Sequence, residues 1–160
     1  MVIRSEPLNG RTGHEAGRQL LAQMYREYTG KETPQILVTQ RGKPYFEKGP
    51  HFSISHTKET VFCAISQRPI GIDAEQIHRQ IDLRLADKIL SPMEKAQFDA
   101  AEDKRLALLI FWVLKEAAAK CEGDGLRGYP NKTEFSLNDP RVTVQNGCLV
   151  AVIEQSEEEK

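Results

Sequence analysis

The chain has 160 residues, with 22 Lys and Arg against 23 Asp and Glu, and its formal net charge is -1. This length fits a single domain, and the balance of charge argues against nonspecific binding to nucleic acid. Because no apolar run is long enough to span a bilayer and no signal-peptide pattern follows Met1, we expect a cytoplasmic protein that contacts no membrane.

The amino-terminal part of the chain predicts one helix and one short strand. Apolar residues recur at helical spacing over residues 13–28, and Thr29-Gly30 marks the end of that helix. Residues 36–38 are a short apolar run that predicts a strand, and residues 41–44 predict the turn that follows it.

The middle of the chain predicts a hairpin and then a further strand. Residues 52–55 and 60–66 have the composition of two strands, joined through residues 56–59. A third strand is expected at residues 70–75, after a short break.

The three cysteines show no spacing typical of a metal site. Cys63 lies inside the predicted strand at 60–66, where a small buried thiol fits, so we assign it a structural role. With Cys121 and Cys148 the count is odd, and we expect a reducing compartment.

An amphipathic segment and two helices are predicted after residue 76. Residues 91–94 are a strong helix start, with a serine cap, a proline at the first helical position and a glutamate three residues after the serine. Residues 103–121 predict a longer helix with one apolar face, and Gly123 ends it. The amphipathic segment spans residues 77–90, with Ile81, Leu85, Ile89 and Leu90 facing inward and Arg79, Arg84 and Lys88 facing outward.

The carboxyl-terminal part predicts a closing set of strands at 135–137, 141–145 and 148–153. Asn146-Gly147 predicts a two-residue hairpin turn between the last two strands. The predicted fold class is therefore α+β, in one domain over residues 1–160, of which residues 156–160 are a charged tail.

Two carboxylates lie two residues apart in the predicted strand at 70–75. Asp73 and Glu75 point the same way, roughly 6 to 7 Å apart, in a run that is otherwise typical of a buried strand. Mg²⁺ takes oxygen ligands and leaves positions for water and substrate phosphates. The pair predicts a divalent-cation site for handling a diphosphate, and a solvated sheet face is the alternative.

A third carboxylate and an ammonium lie on the predicted helix at 103–121. Glu116 and Lys120 are four residues apart, so both follow one stripe of the helix together with Trp112. We expect them to face the strand carboxylates, and the alternative is an exposed ion pair that stabilises the helix slightly.

Four motifs carry a resemblance to a known family. They are residues 42–46 (Gly-Lys-Pro-Tyr-Phe), residues 52–57 (Phe-Ser-Ile-Ser-His-Thr), residues 71–75 (Gly-Ile-Asp-Ala-Glu), and Trp112 with Lys115, Glu116, Ala117 and Lys120. Their order resembles that in 4'-phosphopantetheinyl transferases of the surfactin-synthetase-activating type. The chain resembles a short form of these enzymes, and its turn at 123–126 is similar to the one after the family's last motif.

The resemblance implies an architecture. Members of this family consist of two similar α+β halves packed as a pseudo-dimer, with the active site between them. Here the halves would be about residues 1–68 and 69–155. This arrangement favours a monomer, with a dimer as the alternative.

The resemblance also implies a reaction, in which the 4'-phosphopantetheine arm of coenzyme A moves to a serine of an acyl or peptidyl carrier protein and 3',5'-ADP is released. Asp73, Glu75 and Glu116 would hold Mg²⁺, with Mn²⁺ as the alternative ion. Glu116 is also the candidate base for the serine proton. Because a bound cation lowers the proton affinity of a carboxylate, we rank ligation first. Lys120 would contact the phosphates and stabilise the departing ADP.

Several other residues are candidates for binding coenzyme A. Arg41 and Lys43 flank a glycine in a turn, which is a suitable place for cations to meet the 3'-phosphate. The resemblance adds Ser55 and His56 as phosphate contacts, although an isolated histidine is often incidental.

The resemblance implies two further cofactor contacts. Arg18, on the first helix, is similar to a family arginine that touches the nucleotide. For Lys115, phosphate binding and a solvated lysine are equal alternatives.

Carrier proteins present an acidic helix beside their serine, so a receptor needs basic groups near the metal. Arg79, Arg84 and Lys88 meet that requirement, and a plain solvated face is the alternative. The sequence leaves open whether the carrier belongs to fatty-acid, polyketide or nonribosomal-peptide synthesis.

Two rival functions remain. A magnesium-dependent hydrolase of a nucleotide diphosphate would use the same carboxylates with water as the nucleophile. A noncatalytic module that binds coenzyme A or a carrier would keep the fold alone. The presence of all three carboxylates and Lys120 argues against the noncatalytic module.

Overall fold

The chain folds into two units, each with a long helix packed against a three-stranded antiparallel sheet. A computed structural model describes residues 1–123 and 133–157. The first unit contains β1 (Val2–Pro7), α1 (Gly13–Thr29), β2 (Ile36–Val38), β3 (Pro44–Phe46), β4 (His51–His56) and β5 (Thr60–Ser66). The second contains β6 (Ile70–Gln76), a 3-10 turn (Leu83–Leu85), α2 (Ala86–Ile89), α3 (Pro92–Ala100), α4 (Lys104–Glu122), β7 (Val142–Gln145) and β8 (Cys148–Glu154).

In the first unit the strand order is β1-β5-β4, and α1 covers one face of that sheet. Every second residue of β5, from Val61 to Ile65, packs under α1 in an apolar cluster. Thr12 caps α1 by accepting a hydrogen bond from the Glu15 amide, and Gly30 ends it in the left-handed region with φ of 76°. The helix predicted from apolar spacing is confirmed.

In the second unit the strand order is β6-β8-β7, and α4 packs against β6 and β8. The predicted turn between β7 and β8 is confirmed, since Asn146 and Gly147 both have positive φ (51° and 73°). Gly71 allows α4 to lie close to β6, because a Cβ at this position would be 1.9 Å from the Ala117 carbonyl oxygen.

The two units meet along the edges of β4 and β6. Ser53 Oγ accepts a hydrogen bond from the Ile72 amide, and Ser55 Oγ accepts one from the Ala74 amide, each at 3.1 Å. The two strands therefore run side by side in the same direction, and we call this line of contact the seam. Beyond it the sheets share an apolar cluster that includes Phe62 of β5, so the order of layers is α1, sheet, sheet, α4.

The strong local signals of the sequence are confirmed in the structure. Ser91 and Glu94 form the predicted capping box at the start of α3, and Gly123 ends α4 with φ of 83°. The Cys63 side chain is fully buried, and this burial raises its pKa to about 12, as expected for a structural thiol. The fold mixes helices and small sheets, as predicted.

One predicted strand is absent, and the amphipathic segment is helical over only part of its length. The predicted strand at 135–137 is not formed, because side chains of α3 take its amides: Phe135 N donates to Glu94 Oε2 and Leu137 N to Gln97 Oε1. The segment 77–90 is helical only from Leu83 to Ile89, although Ile89 and Leu90 are buried as expected.

Besides β3, strand β1 was not predicted. It is a polar edge strand that pairs with β5 alone, so its own composition gives only a weak strand signal.

Within the described ranges, no helix has the length and apolar character needed to cross a membrane.

Candidate active site

Strand β6 sends its two carboxylates toward α4. Ile70, Ile72 and Ala74 enter the apolar cluster between the sheets, so the alternate residues Asp73 and Glu75 lie on the opposite face. That face packs against the stretch of α4 that carries Glu116 and Lys120. The structure thus brings together the four side chains that sequence analysis assigned to one site.

The Lys120 ammonium lies at the seam and contacts both strands. Its Nζ donates to the carbonyl oxygens of Ile54 in β4 (3.2 Å) and Ile72 in β6 (3.0 Å). It also lies 3.3 Å from Asp73 Oδ1. An ammonium has three donors, so these contacts use all of them and join the two units at the site.

Asp73 is the most unusual acid in the described structure. Its side chain is buried, with the residue 7% exposed, so the alternative of a solvated sheet face is wrong for it. Burial raises the pKa of Asp73 to about 7; the Lys120 ammonium opposes this shift, and the Glu116 and Glu75 carboxylates add to it. Asp73 Oδ2 is buried without a hydrogen-bond partner among the described residues.

Glu116 and Glu75 belong to the same electrostatic cluster. Burial raises the pKa of Glu116, the Lys120 ammonium lowers it, Glu75 raises it and Arg79 lowers it. Glu75 Oε1 pairs with the Arg79 guanidinium at 2.6 Å. Three carboxylates and two cations therefore occupy one small region between β6 and α4.

The donor set fits a hard divalent cation, although it is not a preformed cage. Across residues 1–123 and 133–157, no group of three His, Cys, Asp or Glu side chains is arranged to hold an ion. In the structure Lys120 contacts Asp73 and Arg79 contacts Glu75, as internal counterions. Even so, the unpartnered Oδ2 of Asp73 is an oxygen whose burial is costly unless a cation or donor meets it.

A cavity of about 240 Å³ opens beside Lys120, and we call it the lysine cavity. Arg41, Lys43, Glu116 and Lys120 all line it, so three of the predicted cofactor cations converge here. Lys43 Nζ donates to the Cys121 carbonyl oxygen (3.0 Å) at the end of α4, and burial lowers the pKa of Lys43. The other residues that line the lysine cavity are Gly42, Pro44, Phe52, Ser53, Ile54, Ala119 and Gly123.

A second cavity, of about 520 Å³, lies at the other end of the seam, and we call it the histidine cavity. The His56 ring packs on the first turn of α1, where a Cβ on Gly13 would be 2.3 Å from it. Ser55, just before His56, lies at the seam and places its Oγ 3.5 Å from Asp73 Oδ1. The lining residues of this cavity are His56, Thr57, Lys58, Glu75, Gln76, Arg79 and Gln80.

Lys115 lies apart from both cavities. Its side chain is 1% exposed, and its Nζ is 2.9 Å from Oε1 of the fully buried Glu94 in α3. It also donates to the Thr133 carbonyl oxygen at 3.3 Å. The alternative of a solvated lysine is therefore wrong, and this buried pair gives no support to a phosphate contact.

The remaining predicted residues have mixed outcomes. Arg18 is half-buried on α1 and is not among the described residues that line either cavity. Arg79 contacts Glu75 and is 43% exposed, so it is not a plain solvated cation. Arg84 pairs with Asp82 at 2.8 Å but is 90% exposed, which agrees with the alternative of a solvated face. The turn compared with the family's last motif lies mostly in residues 124–126, outside the described ranges.

Two contributors to the site, Ser53 and Arg105, were not predicted. Ser53 fastens β6 to β4, and its spacing of two from Ser55 was the available signal. Arg105 of α4 donates to the carbonyl oxygens of Ile77 and Arg79, both at 2.9 Å, and so fixes the chain after β6. No local pattern indicates that second role.

Comparison with known proteins gives a consistent result. A family model described as "4'-phosphopantetheinyl transferase superfamily" matches residues 69–156. The chain is 37% identical over 87 residues to the 4'-phosphopantetheinyl transferase gsp of Aneurinibacillus migulanus, covering 53% of this chain and 36% of the relative. To the 4'-phosphopantetheinyl transferase Sfp of Bacillus subtilis strain 168 it is 33% identical over 114 residues, covering 68% of this chain and 49% of the relative.

A third relative is enterobactin synthase component D of Escherichia coli K12, which is 35% identical over 112 residues, covering 69% of this chain and 53% of the relative. The chain thus spans about a third to about half the length of these curated relatives. The family model covers more than half of the chain, including β6, α4 and the three carboxylates, and it confirms the resemblance drawn from the motifs. The chain belongs to the 4'-phosphopantetheinyl transferase superfamily.

Proposed function

We propose that the protein transfers the 4'-phosphopantetheine arm of coenzyme A to a serine hydroxyl of a carrier protein. The observation that carries this proposal is the buried, unpartnered Oδ2 of Asp73, placed beside Glu116 and Lys120 and between the two cavities. A divalent cation would supply positive charge to the carboxylates, and a diphosphate would supply negative charge to the ammonium. The three named relatives support the reaction class.

In this proposal the serine oxygen attacks the phosphorus that bears the pantetheine arm. The bond from that phosphorus to the bridging oxygen breaks, and 3',5'-ADP leaves. Asp73, Glu75 and Glu116 hold Mg²⁺ or Mn²⁺, which when bound neutralises charge on the diphosphate oxygens. Such a transfer asks the protein mainly for position and countercharge, and this chain supplies both from β6 and α4.

Glu116 and Lys120 have separate roles in the proposed step. Burial raises the pKa of Glu116, so a Glu116 oxygen that holds no ion is a suitable acceptor for the serine proton. Lys120, which lines the lysine cavity, would exchange its strand carbonyls for the phosphate oxygens.

Coenzyme A is proposed to lie along the seam. Arg41 and Lys43 in the lysine cavity and His56 in the histidine cavity are the phosphate contacts, with Ser55 between them. Arg18 is retained as a proposed nucleotide contact, although it is not among the described lining residues. Lys115 is withdrawn as a phosphate contact, because its ammonium is held in the buried pair with Glu94.

We also propose that the two units are halves of a pseudo-dimer, divided near residues 67–69. The topology of the two three-stranded sheets supports this. Apart from the β2-β3 pair and the short helices before α4, each unit has a strand, a long helix and two further strands, and in each the last strand lies at the centre of the sheet. A monomer is the expected state, with a dimer as the alternative.

The carrier is proposed to dock near the chain between β6 and α3. Lys88 remains a candidate contact for its acidic helix, while Arg79 and Arg84 would have to exchange Glu75 and Asp82 for acidic groups of the carrier. Acyl and peptidyl carrier proteins are both proposed as partners.

The test is intact-mass analysis of a panel of apo acyl and peptidyl carrier proteins incubated with this chain, coenzyme A and Mg²⁺ or Mn²⁺. We expect one carrier or more to gain a phosphopantetheine mass, and to lose that gain with chelator or with Glu116→Ala. A matched control is Glu102→Ala, which removes an exposed acid outside the site.

Three outcomes would contradict the proposal. Cleavage of coenzyme A without any gain of mass would favour the hydrolase, and Glu116→Ala working as fast as the parent would remove the assigned role. Binding of coenzyme A with neither cleavage nor transfer would favour the noncatalytic module.

A further inference from the structure

Arg79 lies between the acidic site and the single tryptophan of the chain. Its NH1 is 2.6 Å from Glu75 Oε1, and its guanidinium carbon is 5.9 Å from the centre of the Trp112 ring. The Arg79 side chain is 43% exposed and that of Glu75 22%, so the contact is at the rim of the histidine cavity. One guanidinium therefore contacts a candidate metal ligand on one side and an aromatic face on the other.

The backbone that carries Arg79 is held by α4. Arg105 NH1 donates to the carbonyl oxygens of Ile77 and Arg79, and the Arg79 amide donates to the Gln76 carbonyl oxygen, all at 2.9 Å. Arg105 and Trp112 are seven residues apart on α4, so one face of that helix both fixes the backbone and stacks the side chain. The position of Arg79 is thus set by the same helix that carries Glu116.

This arrangement puts a permanent positive charge beside the carboxylates. A guanidinium stays protonated at all relevant pH values, so it cannot leave Glu75 by losing a proton. It also lies close enough to Glu116 to lower its pKa. An ion that takes Glu75 Oε1 as a ligand must first displace this contact.

We propose that Arg79 is a positioning residue and the internal counterion of Glu75. It occupies Oε1 of the carboxylate while no divalent ion is bound, and it releases Oε1 when an ion enters. Its guanidinium then shifts on the Trp112 ring, so the indole responds to occupancy of the site. This inference rests on the proposed function, because it takes the three carboxylates as ligands of the ion.

The expected size of the effect follows from the exposure of the pair. Half-exposed ion pairs are weak, so removing the guanidinium is expected to tighten ion binding about threefold to tenfold. Arg79→Met keeps an unbranched apolar stem over the indole and removes only the charge. Arg84→Met is the matched control, since Arg84 lies five residues away, is 90% exposed and pairs with Asp82.

The test is a titration of the purified chain with Mn²⁺, without coenzyme A or carrier. Free Mn²⁺ is followed by electron paramagnetic resonance, and Trp112 emission is recorded in parallel. In the parent, emission should change in step with binding of one ion. Arg79→Met should bind Mn²⁺ about threefold to tenfold more tightly and lose the emission change, Arg79→Lys should restore the parental affinity within about twofold, and Arg84→Met should match the parent in both readouts.

Glu75→Gln tests the same contact from the other side, and it covers the case in which Arg79→Met does not fold. It should bind Mn²⁺ more weakly and show no emission change that follows binding. An unchanged emission response in Glu75→Gln would overturn the inference, as would equal Mn²⁺ affinities in the parent and Arg79→Met.

The two proposals fail in different ways. Carrier modification together with equal Mn²⁺ affinities in the parent and Arg79→Met overturns the role of Arg79 alone. Absence of Mn²⁺ binding by the parent overturns the role of Arg79 and the metal assignment together.

Discussion

Two lysines on α4 show how a buried charge differs between a structural pair and a candidate active site. Lys115 pairs with Glu94, and the carboxylate also accepts hydrogen bonds from the Ser91 and Phe135 amides, so both of its oxygens are satisfied. Lys120 contacts Asp73, but Oδ2 of that carboxylate has no partner among the described residues. We infer that the satisfied Lys115–Glu94 pair specifies packing, whereas the unsatisfied Asp73 carboxylate beside Lys120 binds a ligand.

The largest effect is expected where the satisfied pair is broken. Lys115→Met leaves the Glu94 carboxylate buried without its cation, so the free energy of unfolding should fall by about 3–5 kcal/mol. Denaturant unfolding measures this. Lys95→Met, which removes the exposed ion pairs of Lys95 with Asp87 and Asp99, is the control and should lower the free energy of unfolding far less. Equal losses in the two variants would refute a special role for the buried pair.

The unsatisfied carboxylate of Asp73 predicts that stability falls as pH rises, whereas a carboxylate in an ordinary salt bridge makes stability rise with pH. The folded pKa of Asp73 is about 7, against 3.8 ordinarily, so the folded state holds a proton that the unfolded state releases between these values. Through this group the stability of the ion-free protein should fall as pH rises from about 4 to 7, by up to about 4 kcal/mol.

Thermal unfolding across that pH range, with chelator present, checks this prediction. Asp73→Asn cannot titrate and should flatten the pH dependence. A slope that survives in Asp73→Asn would assign it to another group.

The same substitution separates stability from activity. Asp73→Asn keeps an acceptor for Lys120 but removes the buried charge, so at pH 8 the variant should be at least as stable as the parent. The rate of phosphopantetheine transfer should fall at least about hundredfold, or about 2.7 kcal/mol of transition-state stabilisation. Intact-mass time courses on a modified carrier measure this, and near-parental transfer would exclude Asp73 as a ligand.

The smallest effect concerns the seam that holds Lys120 in place. Ser53→Ala leaves the buried Ile72 amide without its acceptor and should cost about 1–2 kcal/mol of folding stability. Thr143→Ala, on an exposed face of β7, is the control and should change stability by less than about 0.5 kcal/mol. If the two variants were equally stable, the seam hydrogen bond would contribute nothing measurable.

The fold was predictable where the signal is local, and the failures share one cause. Residues 135–137 have the composition of a strand, but Glu94 and Gln97 take their amides across about forty residues of chain. Strand β1 is polar because it is an edge, and only its pairing with β5 defines it. Within the site, the spacing of Asp73 and Glu75 predicted both carboxylates. The pairing of Arg79 with Glu75 was not predicted, because it depends on the turn after β6, which Arg105 of α4 fixes.

The sequence by itself determined the capping box of α3, the Asn146-Gly147 turn and the two carboxylates on one face of a strand, because each depends on neighbours within a few residues. It also determined the family, through the order of several such local motifs. Only the tertiary structure decided what the two lysines of α4 do. They lie five residues apart and so point about 140° apart around the helix, one toward α3 and the other toward β6. A charge on a buried helix takes its role from the distant residue it meets, and no local pattern specifies that residue.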